Sequence, residues 1–244
     1  MHITTAPLAI STSTMLTLRR GMDRGVTAQA GRKRLHQFSS GSYFDSECMG
    51  FGALRVLDDE RLAAGVTLDS ERRANMEILT WVIDGEVEIL VGEATRALGP
   101  SGFSCVSAGS GIDCATRNRG DVPVHFMQLW LQPVAVNAAP RCGVHQYADA
   151  ELLDGFRRIA ASADAGADIE LRADANVCIA RADSGERLRY PLPVTRKAWV
   201  QVLRGSVDCG ELTAFAGDGI EVRDQANIEL RVREDAEILL IDLA

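Results

Sequence analysis

No run of apolar residues in this chain approaches the ~20 needed for a membrane-spanning helix, so no helical span and no membrane partner are expected. The opening MHITTAPLAISTST has neither a charged leader nor an unbroken apolar core of roughly 7–15 residues, so it does not read as an export signal. A cytoplasmic setting with reduced thiols is therefore expected. The six cysteines, Cys48, Cys105, Cys114, Cys142, Cys178 and Cys209, form no CxxC pair and no zinc-like spacing, and most are expected as small buried side chains. There is no phosphate-binding glycine loop, no GxSxG elbow and no dinucleotide fingerprint. Histidine is scarce, with four in the chain (His2, His36, His125 and His145) and none at ligand spacing. Basic excess is also missing. The net charge is −8 and direct nucleic-acid binding is not expected. The one basic cluster, Arg32-Lys33-Arg34, is read as solvated surface.

What the sequence does have is an ordinary globular balance, with 46% apolar and 25% charged residues over 244 positions. Short β-rich runs broken by Gly, Asp, Asn or Pro dominate it. Clear examples are Phe51–Leu57, Glu77–Ile83, Val124–Leu131, Ala198–Leu203 and Ile238–Leu243. Asp84-Gly85 between Trp81-Val82-Ile83 and Glu86–Leu90 predicts a two-residue hairpin turn. Glu86 and Glu88 alternate with Val87 and Ile89, so that strand should have one wet face. The second half repeats the grammar at Ala198–Leu203, Arg204-Gly205 and Ser206–Asp208. Two copies of one β-unit predict an all-β, duplicated barrel or jelly roll. The expected organisation is a flexible extension at 1–14, a first domain at 15–135, a linker at 136–150 and a second domain at 151–244. A short helical turn at Ala150–Leu153 should precede the second domain's first strand.

Five segments then carry a specific resemblance. Leu35–Asp45 (LHQFSSGSYFD), Met49–Leu57 (MGFGALRVL), Asn75–Gly85 (NMEILTWVIDG), Ser107–Gly111 (SAGSG) and Val124–Leu131 (VHFMQLWL) resemble, in order, motifs of the pirin family. The resemblance covers roughly residues 15–135, and it is weaker in the second half, through Gly217-Asp218-Gly219 and Glu237–Leu243. It implies a bicupin, two cupin barrels arranged face to face with few short helices, and a site inside the first barrel. Pirins hold an iron-type metal there with an HxH pair, a further His and a Glu. Some act as quercetin dioxygenases and others as regulatory binding proteins.

At those ligand positions this chain has other residues. The HxH pair falls on Glu71 and Arg73, the third His on Cys114 and the acid on Thr116. Arg73 is permanently cationic and would repel a divalent ion. Its natural partner is Glu71, two residues away on the same strand face. The candidate pocket is thus Glu71, Arg73, Cys114, Thr116 and Glu77, with no catalytic residue, no metal and no cofactor expected. A cation beside Cys114 should lower its thiol pKa, which makes Cys114 the first redox candidate and Cys48, on a loop, the second. The leading expectation is a metal-free binding or redox-sensing protein that takes a small anionic ligand. The alternatives are a quercetinase-type dioxygenase with an atypical ligand set, its metal in the first barrel, and a regulatory module that binds a protein partner.

Overall fold

The computed structural model describes residues 15–163 and 166–244. The extension expected at 1–14 falls outside the described residues. Among the described residues, regular structure is strand apart from two single-turn 3-10 segments, Gly21–Asp23 and Asp149–Leu152. The second is the short turn expected before the strand Arg157–Ser162. No helix among the described residues is long and apolar enough to cross a membrane.

Two sheets enclose the first barrel. A seven-stranded sheet runs Arg141–Gln146, Gly102–Ser107, Glu77–Asp84, Val124–Leu131, Leu54–Leu62, Arg32–His36 and Gly25–Gln29. A four-stranded sheet, Glu71–Arg73, Ile112–Arg117, Val87–Val91 and Ala94–Leu98, closes over it. The second barrel is built on Gly219–Arg223, Lys197–Cys209, Asn227–Leu243, Ala175–Ala182 and Arg157–Ser162, with shorter strands at its margins.

Strand side chains alternate between faces, and both faces of the seven-stranded sheet are covered. Ile78, Val82, Val106 and Phe126 point into the first barrel. Leu79, Trp81, Leu129 and Leu131 point out of it and pack against Trp199, Leu239, Ile241 and Leu243 of the second. The strand Glu77–Asp84 is therefore buried along almost its whole length. This is why Ile78–Ile83 reads as a continuous apolar run rather than an alternating one. The strand Val87–Val91, in the outer sheet, does alternate buried and half-buried residues, as its sequence predicts.

The hairpin at Asp84-Gly85 does not form. Glu77–Asp84 pairs with Gly102–Ser107 and Val124–Leu131, whereas Val87–Val91 pairs with Ile112–Arg117 and Ala94–Leu98. Gly85, at φ 76°, turns the chain from one sheet into the other. A primed turn and a sheet-to-sheet corner both need a residue with positive φ, so the dipeptide signals either. In the second half the matching Gly205, at φ 71°, sits in an irregular stretch of one unbroken strand, Lys197–Cys209.

The expected domain limits shift at two places. Met15–Arg19 pairs with Gly219–Arg223 and so belongs to the second barrel's sheet. The stretch expected as linker contains Arg141–Gln146, which pairs with Gly102–Ser107 as an edge of the first sheet. Each barrel is thereby strapped by chain that the sequence assigned elsewhere.

Candidate functional site

A cavity of about 650 Å³ opens between the two sheets of the first barrel. The outer sheet contributes Glu71 and Arg73 from its edge strand and Cys114 and Thr116 from the next. The register sets Cys114 opposite Glu71 and Ile112 opposite Arg73. The strand Glu77–Asp84 contributes Ile78 and Thr80, and Val124–Leu131 contributes Gln128 and Trp130. Four of the five expected pocket residues are thus brought together.

Glu77 is not among them. It lies one residue out of phase with Ile78 and points to the opposite face, between the barrels. There it is 1% exposed and accepts hydrogen bonds from Ser107 Oγ at 2.8 Å and the Arg172 backbone N–H at 3.1 Å. Its role is to satisfy polar groups where the barrels meet, and it has no access to the cavity.

Arg73 forms an ion pair with Glu71. Its guanidinium carbon stands 4.6 Å from the ring centroid of Trp130, a cation–π contact. The Trp130 indole N–H donates to Gln128 Oε1 at 3.0 Å. Arg73 is 32% exposed and Glu71 56%, so the pair sits at the mouth with water on one side. An exposed pair of this kind is worth only ~0–1 kcal/mol. The stacked ring and the pairing orient the guanidinium rather than bury it.

The residues present do not fit a divalent metal. Glu71 is engaged by Arg73, Thr116 offers a neutral hydroxyl, and a cation stands where a donor is needed. Burial pushes the Cys114 thiol up to about 11, and the opposing pull of Arg73 is too weak to reverse it. The expected lowering of the Cys114 pKa is therefore corrected: desolvation outweighs the neighbouring cation. Cys48 behaves alike. Its Sγ accepts from Arg19, yet burial and the nearby Asp45 raise its pKa. For both thiols burial works against the acidity that the redox reading requires. Among the described residues no group of three His, Cys, Asp or Glu side chains converges on one point. His36 is held by Asp58 at 2.8 Å and Thr27 at 2.8 Å, and His125 by Asp59 at 2.7 Å.

Sequence reasoning missed Trp130, Gln128 and Thr80, and it misread Arg32 and Arg34. Both arginines line the cavity. Arg32 donates to the buried Glu60 at 2.7 and 2.8 Å, and Arg34 faces the buried Asp58 at 3.7 Å. Lys33 between them is exposed, because alternate residues of a strand face opposite ways. The same period-two rule, applied to Val124–Leu131, would have put Gln128 and Trp130 on one face.

Comparison with known proteins agrees with this architecture. Residues 19–131 match the pirin family and residues 159–243 match the quercetinase C-terminal cupin domain. A pirin-like protein of Caulobacter vibrioides is 31% identical over 215 residues, 87% of this chain and 92% of the relative. A quercetin 2,3-dioxygenase of Escherichia coli (strain K12) is 29% identical over 231 residues, 94% of this chain and 99% of the relative. The crystal structure of the bacterial pirin YhhW in complex with nickel(II), from Escherichia coli, superposes with a TM-score of 0.88 at 28% identity, covering 94% of this chain and 99% of that one. With two barrels in one continuous core and a relative of this identity along most of its length, the chain belongs to the pirin family.

Proposed function

We propose that this protein binds a small organic anion in its first barrel, without a resident metal, and does not turn a substrate over. The observation that carries the reading is Arg73, oriented by Glu71 and stacked on Trp130 at a position where the family resemblance implies a metal ligand. A fixed guanidinium supplies positive charge and directional donors with no metal to load. The charge balance supports it. Three arginines (Arg32, Arg34 and Arg73) and two acids (Asp69 and Glu71) line the cavity of a chain whose net charge is −8.

Isothermal titration of the full chain with benzoate tests the reading. Binding is expected, and Arg73→Gln should weaken it about tenfold, the loss typical of one charge-assisted hydrogen-bonded contact. No binding, or binding indifferent to Arg73→Gln, would overturn it.

A second reading, a quercetin 2,3-dioxygenase with an atypical ligand set, draws on the relative of that name that aligns over 94% of this chain. It requires oxygen consumption with quercetin after reconstitution with Fe, Mn, Ni, Co or Cu. The proposal expects none.

A further inference from the structure

The cavity changes character with depth. Antiparallel register aligns the inward-facing side chains of neighbouring strands into rows. At the level of Arg73 the row is Trp130, Ile78 and Val106. The next row inward is Gln128, Thr80 and Ser104, and beyond Gln128 it continues to the buried Asp58, which is taken up by His36 and Ser40. Beyond that Val82 pairs with Phe126, both fully buried, which closes this side of the cavity, while the same row runs on through Glu60 to Arg34 on the cavity's other side. Burial deepens along this path, from Ile78 at 7% exposed through Thr80 at 2% to Val82 at 0%. On this side the pocket therefore runs from Arg73 past an apolar collar to a polar end.

The polar end is incompletely satisfied. Ser104 is 0% exposed, and its hydroxyl has no hydrogen-bond partner among the described residues. Buried hydroxyls are nearly always paired, so an orphan marks a place where another polar group belongs. It stands directly across the ladder from Thr80, on the face that Val106 shares. Thr80 and Gln128 themselves line the cavity. The carbonyl oxygen of Gln128 already accepts from the Trp130 indole, which leaves its amide N–H groups as the ends able to donate inward. The polar end thus offers donors, and it suits a ligand oxygen.

Building on the anion-binding reading, we infer that the ligand is a small aromatic carboxylate bearing a second oxygen at its far end. The acid group meets Arg73, the ring lies in the collar of Ile78, Val106 and Ile89, and the far oxygen meets Thr80 and Gln128. Two residues along a strand span about 7 Å. A carboxylate and a para hydroxyl on one benzene ring span a similar distance, whereas a meta hydroxyl falls short and to one side.

The test is calorimetric titration of the full chain with 4-hydroxybenzoate, 3-hydroxybenzoate and benzoate, repeated on Thr80→Val and Ser104→Ala. The para compound is expected to bind at least about fivefold tighter than the other two, as one net hydrogen bond allows. Thr80→Val should erase that gain, so that the three compounds bind alike, and a thermal midpoint close to that of wild type shows that the variant is folded. Ser104→Ala should reduce the gain of the para compound over benzoate. The inference is overturned if the para hydroxyl adds nothing, or if Thr80→Val weakens all three compounds alike. Loss of Arg73-dependent benzoate binding would instead remove the underlying reading, so the two failures are distinguishable.

Discussion

At the residue scale the site rests on competition between charges and burial. Glu71 holds Arg73 in place, yet it also competes with any incoming anion. Glu71→Gln should therefore tighten benzoate binding several-fold, as removal of a partly solvated like charge allows, and titration against wild type reads this directly. Cys114 shows the opposite balance. With its thiol pushed up to about 11 from an ordinary 9.0, it holds about a hundredfold less thiolate near neutral pH than a free cysteine. Its alkylation by iodoacetamide, followed by peptide mass mapping, should rise with pH to a midpoint near 11. A midpoint below 9.0 would restore the redox reading. These residues were legible because the resemblance fixed their positions one by one. Burial was not legible: the resemblance placed Cys114 close to Arg73, but the desolvation that outweighs that cation depends on how the folded barrel covers the thiol.

At the scale of elements, local signals in the sequence were true but incomplete in meaning. Gly85 does demand positive φ, but pairing partners decide whether the chain doubles back or changes sheet. A Cβ at Gly85 would lie 2.9 Å from the Pro123 carbonyl oxygen in a left-handed conformation. Gly85→Ala should cost about 1–3 kcal/mol, read as a lowered urea midpoint with an unchanged slope. Glu77 failed for a related reason. Its neighbour Ile78 faces the cavity, and one residue of phase sends the next side chain to the other face. Thr80, Gln128 and Trp130 escaped notice because a cross-strand row exists only once register is known.

At the scale of the whole molecule the two barrels share one core, and their join carries buried polar groups. The Trp81 indole donates to Glu237 Oε1 at 2.6 Å across the join, and Arg181 also reaches Glu237. Trp81→Phe should destabilise both barrels together, by about 1–3 kcal/mol for the lost hydrogen bond to a buried charge, in a single unfolding transition. Tyr147, just after the last strand of the first sheet, donates to Asp168 at 2.8 Å, and Arg157 of the second barrel donates at 2.9 Å. Burial alone would raise the Asp168 pKa, but these donors outweigh it and hold the carboxyl below its ordinary 3.8. A lowered native pKa stabilises above the unfolded value and loses that contribution as pH falls through the native one. The thermal-midpoint difference between wild type and Asp168→Asn should thus be full at neutral pH and shrink below 3.8. The duplicated all-β plan was legible from repeated patterns. The placing of Met15–Arg19 in the second barrel's sheet and of Arg141–Gln146 in the first's was not, since strand partners are set by distant chain.

The proposed function puts a guanidinium, Arg73 stacked on Trp130 and paired with Glu71, in the first barrel in place of a metal. Elemental analysis of the full chain tests it most directly, after purification without chelators from cells grown with added Fe, Mn, Ni, Co and Cu. Every one of these metals is expected far below one atom per chain after gel filtration. One atom per chain, retained in wild type and lost in Glu71→Gln, would contradict it.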